Sequence, residues 1–135
     1  MNARLVAAGL AAGTGWGALG WLLSHRAFGA MAAGGALASP LIGVAIARLT
    51  HARFAAGTGR ARIGWSLVSV YLGAIGFALG CAAARILDRP GGRLIDPVFE
   101  AVASTLWGVT LTGFLLFLWP LAYATHWWLA ERLDL

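Results

Sequence analysis

The sequence has no lysine, no glutamine and a single asparagine, Asn2, and only 11% of its 135 residues are charged. Soluble domains carry about 25% charged residues, so these polar groups are too few to cover a water-facing surface. A disordered chain is excluded as well, because such chains are poor in apolar and aromatic residues. The lone cysteine, Cys81, allows no intrachain disulfide, thiolate metal cluster or CxxC redox pair. Acidic residues number five, and only Glu100 lies inside an apolar run, one turn from its start. A midplane carboxylate of the kind that couples proton transport is therefore missing, and no Ser/His/Asp constellation can be assembled at membrane depth.

What the sequence has in abundance is apolar surface: 60% hydrophobic residues, 19 glycines and a mean hydropathy of +0.79. This is the composition of an integral membrane protein. The ten basic residues are all arginine and give a net charge of +5. They sit between and beside the apolar runs and form no stripe on a polar helix, which argues against nucleic-acid binding. Arginine without lysine, among so much alanine and glycine, reflects a GC-rich bacterial coding bias.

Cutting the chain at its arginines leaves apolar segments at 5–23, 27–47, 63–84 and 98–125. At helical rise they span about 28, 31, 33 and 42 Å, enough to cross a hydrocarbon core of about 30 Å. The fold expected is a single all-α membrane domain, 1–135: an antiparallel bundle of four transmembrane helices with a short interfacial C-terminal tail. The fourth segment exceeds the core, and Pro120 is the expected site of its bend. The first reads as a retained helix and not a cleaved signal, because apolar sequence continues through Trp16, Trp21 and Leu23.

Ser24-His25-Arg26 is expected to be a tight hairpin, 48–62 a basic cytoplasmic loop, and 85–97 an outer loop. In the outer loop Asp96-Pro97 reads as the N-cap and first position of the fourth helix. Asp88, Asp96 and Glu100 read as caps or ion pairs with Arg85, Arg89 or Arg93. Six arginines fall inside and four outside if both termini are cytoplasmic, the orientation expected for a bacterial inner-membrane protein.

Small residues recur at helical spacing: Gly9, Gly13 and Gly17 in the first segment; Gly35, Ser39, Gly43 and Ala47 in the second. In the third, Ser66, Ser69, Gly73, Gly76 and Gly80 make one seam, and Gly108 belongs to another in the fourth. Without a hydrophobic drive between helices in lipid, such seams supply close packing. Trp127, Trp128 and Trp65 read as interfacial anchors.

His51 and His126 are expected near one interface, where paired imidazoles could ligate a haem or bind a quinone head; interfacial polar histidines are the plainer reading. The stretch Ala122-Tyr123-Ala124-Thr125-His126 resembles the small-xxx-His pattern of bacteriochlorophyll-binding antenna helices. Phe28-Gly29 through Gly34-Gly35, Pro40 and Arg48…His51…Arg53 is similar to the second helix of ATP synthase subunit I, a small four-helix accessory membrane protein. That similarity covers a fifth of the chain, and the paired charges of that family's third helix are absent. No cofactor is assigned.

These features lead to the expectation of a non-enzymatic accessory or structural subunit of a membrane complex. Its partners would be the bilayer and other subunits or a second copy, and no nucleic acid. The alternatives are an oligomeric small transporter or channel, and a haem-, quinone- or bacteriochlorophyll-binding subunit.

Overall fold

The computed structural model describes residues 2–133, and these form five helices: α1 Ala3–Phe28, α2 Met31–Ala56, α3 Gly59–Asp88, α4 Ile95–Leu111 and α5 Leu115–Arg132. Three helices are long and apolar enough to cross a membrane, or four if the bent pair α4 and α5 counts as one span. The last two residues of the C-terminal tail lie outside the described residues.

The first three helices pack through backbone. Gly9 faces Val44, Gly13 faces Ser39 and Pro40, and Gly17 faces Ala36 and Ser39, so α2 descends as α1 rises. A Cβ on Gly9 would lie 2.8 Å from Val44 Cα, and one on Gly43 would lie 2.6 Å from Gly13 Cα. Only hydrogen fits at this crossing. Pro40 leaves α2 continuous. The Ala36 carbonyl, which Pro40 deprives of its helical N–H partner, lies against Gly17, where Cα–H contact is possible.

On the other side of α2, Gly34 and Gly35 meet Gly80 and Phe77, and Ile42 fills the space over Gly76. The seams of the first three segments thus meet one another inside the chain. Gly108, by contrast, has no neighbour where its side chain would be.

Several expected boundaries move because helices do not stop where hydrophobicity does. α1 continues through Ser24-His25-Arg26 to Phe28 and turns at Gly29, whose φ is 57°. The basic segment 48–62 is not a loop: α2 carries Arg48, His51 and Arg53 to Ala56, and α3 begins at Gly59. Arginine is a good helix former, so the charges interrupted the apolar run but not the helix. At the far end α3 runs to Asp88, Gly91 and Gly92 take positive φ, and Leu94 is the N-cap of α4, leaving Asp96 and Pro97 in its first turn.

The fourth segment departs most from expectation. It breaks at Gly113, with φ 78°, and the two pieces meet at 96°. The bend expected at Pro120 is not there, since Pro120 lies within α5. α5 then crosses the end of the bundle at which α2 turns into α3: Leu118 and Ala122 pack with Val70, His126 reaches Ser69, and Leu129 packs with Ala8 and Ala47.

Candidate functional site: a buried histidine cluster and the cleft beside it

The change of direction at Gly113 decides where the histidines sit. His126 was expected at an interface, and His51 in a basic connector. Instead both are buried, at 3% and 2% exposure. Ser69, the partner of His126, lies six residues into the apolar run 63–84, about 9 Å along the helix axis.

His126 Nε2 is 2.6 Å from Ser69 Oγ and 3.5 Å from Thr50 Oγ1, and its ring stacks on Phe54 with centroids 4.9 Å apart. Ser69 Oγ also lies 2.9 Å from the Trp65 carbonyl and 3.4 Å from Thr50 Oγ1. Thr50 donates to the Ile46 carbonyl at 2.7 Å. The Ser69 hydroxyl has one proton. If it goes to Trp65, His126 Nε2–H donates to Ser69; if it goes to His126, the imidazole proton sits on Nδ1. In either tautomer His126 Nδ1 has no hydrogen-bond partner among the described residues, and neither has either ring nitrogen of His51. Buried polar atoms in this condition are exceptional.

Arg62 closes the end of the bundle at the α2–α3 turn, beside this cluster. It donates from Nε to the Phe54 carbonyl at 3.3 Å and from Nη2 to the Ala55 carbonyl at 3.4 Å. Both carbonyls belong to the last turn of α2, where the i+4 helical donor is missing; that of Phe54 also accepts the capping N–H of Gly57 at 3.2 Å. Its guanidinium also lies over the rings of Phe54 and Trp127. Arg53 covers Trp65 and Arg132 covers Trp128 in the same way, and Trp127 Nε1 donates to Glu131 at 3.1 Å. All three tryptophans read as anchors therefore carry an arginine at this end of the molecule.

A cleft of about 580 Å³ runs from the cluster toward the opposite end. Among the described residues α4 packs along α3 and makes no comparable contact with α1 or α2, so α1 and α4 form facing walls over a floor from α2 and α3. The lining is apolar, with Trp16 and Leu19 from α1, Phe77 from α3, Val109 from α4 and Leu118 from α5. Ser69 and His126 line the end near the α2–α3 turn; Arg85 and Glu100, paired at 2.6 Å, line the opposite end. Glu100 therefore does form an ion pair with Arg85, as does Asp88 with Arg89 at 3.9 Å.

Of the residues singled out in the sequence, His126 and Ser69 meet in the cluster and His51 lies beside Thr50. Ser66 is fully buried in α3. Gly13, Gly73 and Gly108 also border the cleft. Thr50 and Phe54 were missed as partners of His126. Their signal was the i, i+4 spacing from Ile46 through Thr50 to Phe54, which continues the inward face of α2 past Arg48. Among the described residues no three His, Cys, Asp or Glu side chains gather as a metal site would require.

Comparison with known proteins gives no match to a family model, to a curated protein or to a solved structure.

Proposed function

We propose that the chain is a small accessory component of a bacterial inner membrane, acting by binding and not by covalent chemistry, with its bound molecule in the α1–α4 cleft. The cleft is the observation that carries this reading. Protein interiors are close-packed, and here α1, α2 and α3 meet that standard at backbone contact while α4 stands off from α1. The volume falls within the roughly 300–1,000 Å³ range of small-molecule sites. Arginine–tryptophan pairs at one end support the cytoplasmic placement of that end and of both termini.

A photoactivatable residue at Gly108, where no neighbour would be displaced, tests the reading in native membranes. Position 108 is expected to crosslink to a discrete species that is absent from crosslinks at Leu37, which is 81% exposed on the outside of α2. Identical bulk-lipid adducts at both positions would overturn it.

A further inference from the structure

We propose that Arg53, Arg60 and Arg62, around the α2–α3 turn, form a surface that takes the phosphate of an anionic phospholipid head, so that this end of the protein selects anionic over zwitterionic lipid. The surface shares no residue with the lining of the cleft, and it stands or falls independently of the reading of the cleft.

Charge is distributed unevenly between the two ends. At the end opposite the α2–α3 turn, Arg85 is paired with Glu100 at 2.6 Å and Arg89 with Asp88 at 3.9 Å, and Asp96 lies in the first turn of α4. Around the α2–α3 turn the one carboxylate among the described residues is Glu131, which accepts from Trp127 Nε1. Glu131 shares a small hollow with Arg62 and so offsets part of its charge, whereas Arg53 and Arg60 lie outside that hollow. None of the three arginines forms an ion pair among the described residues.

Their guanidinium groups are engaged by rings and carbonyls instead. Arg53 lies over Trp65 and donates to the Leu49 carbonyl at 3.2 Å; Arg62 lies over Phe54 and Trp127 and donates to two carbonyls. Arg60 is exposed in the first turn of α3. A guanidinium carries several N–H donors in a planar fork that fits phosphate bidentately, so donors remain on all three for phosphate oxygens.

Depth selects a lipid over a soluble partner. Only Gly57 and Thr58 separate α2 from α3, so no loop projects beyond the helix ends to meet a protein. Arg53 lies three residues before the end of α2 and Arg62 three residues after the start of α3, each about 4.5 Å along its axis. A head-group layer is about 5–8 Å deep, and tryptophans such as Trp65 and Trp127 settle in it. The three arginines therefore fall within the layer that holds lipid phosphates. Carried on helix ends and not on a loop, they are held in place there.

The protein is reconstituted in phosphatidylcholine vesicles that carry, in turn, phosphatidylglycerol or phosphatidylcholine brominated near the head-group end of its acyl chains. Bromine quenches tryptophan on contact, and the Trp65 component is the part of the quenching lost in Trp65→Phe. Its dependence on the brominated fraction gives the preference for one head over the other. Phosphatidylglycerol is expected to be preferred about fivefold or more, the effect of one arginine near an anionic surface. Arg53→Gln/Arg60→Gln should bring the preference below about twofold, while Arg89→Gln/Arg93→Gln, which removes the same charge from the opposite end, should leave it unchanged. Arg53→Gln alone, expected to lower the preference by about half, carries the test if the double variant does not insert. Equal quenching by both lipids in the wild type, or a preference unchanged in Arg53→Gln and in the Arg53→Gln/Arg60→Gln pair, overturns the proposal. An equal fall in the two double variants overturns it as well, because net charge and not this surface would then attract the lipid.

Discussion

Gly43 and Gly13 approach each other so closely that the α1–α2 crossing tolerates no side chain at either position. A Cβ on Gly43 would lie 2.6 Å from Gly13 Cα and 2.7 Å from Gly13 N, both backbone atoms that cannot rotate away. Gly43→Val is therefore expected to cost about 1–3 kcal/mol, the usual range for overpacking, seen as a lowered unfolding midpoint in detergent. Gly15, on the same helix as Gly13, has nothing within 4 Å of its Cβ position. Gly15→Ala is expected to be neutral or stabilising by up to about 1 kcal/mol, since alanine is the better helix former; equal losses at both sites would contradict the packing described. Arg62 is a second local determinant. Arg62→Lys keeps the charge but cannot reproduce two guanidinium bonds together with stacking on Phe54 and Trp127. It is expected to lower stability by about 1–2 kcal/mol, measurable by the same unfolding midpoint, whereas an outcome equal to wild type would show that charge alone suffices.

Among the elements, the first three helices were legible in the sequence and the fourth was not, for a physical reason. Runs such as 27–47 are uninterrupted by charge and carry seams at helical spacing, so both their existence and their packing faces can be read locally. Hydropathy says nothing about direction, however, and 98–125 is equally apolar on both sides of the Gly113 break. Pro120 was the conspicuous breaker, but a proline costs a helix only one backbone bond and can be carried within it. Gly113 instead has φ 78°, a conformation costing a residue with a side chain about 1–2 kcal/mol. The burial of His126 was hidden by the same ambiguity: its contact with Ser69 exists only because α5 turns across the bundle. Gly113→Ala is expected to favour a straighter helix. Spin labels at Phe99 and Trp128, both exposed, should then move apart in pulsed dipolar spectra, and an unchanged distance would show that packing of α5 alone fixes the bend.

For the whole molecule, the uneven distribution of contacts implies uneven stability. α1, α2 and α3 hold one another by backbone contact on both sides of α2, while α4 buries only Ala101 and Val109 and rests along α3. The bonds that tie α4 to its neighbour are side-chain contacts at its exposed rim, Arg85 with Glu100 and Tyr71 with Thr110 at 3.2 Å, and exposed pairs contribute about 0–1 kcal/mol each. α4 should therefore open locally at a lower free energy than the three-helix platform, in the way that weakly packed elements do. In detergent, amides of 98–108 are expected to exchange about tenfold or more faster than those of 35–45, equivalent to at least about 1.4 kcal/mol less local stability. A molecule bound in the cleft would bridge α1 and α4 and bring the missing contacts, so protein extracted in mild detergent with its bound molecule should exchange more slowly in α4 than protein stripped by repeated detergent washing, with α2 unchanged. Uniform exchange across the helices without ligand would mean that α4 is held as firmly as the rest. A uniform difference between the two preparations would point to a general detergent effect and not to occupancy of the cleft.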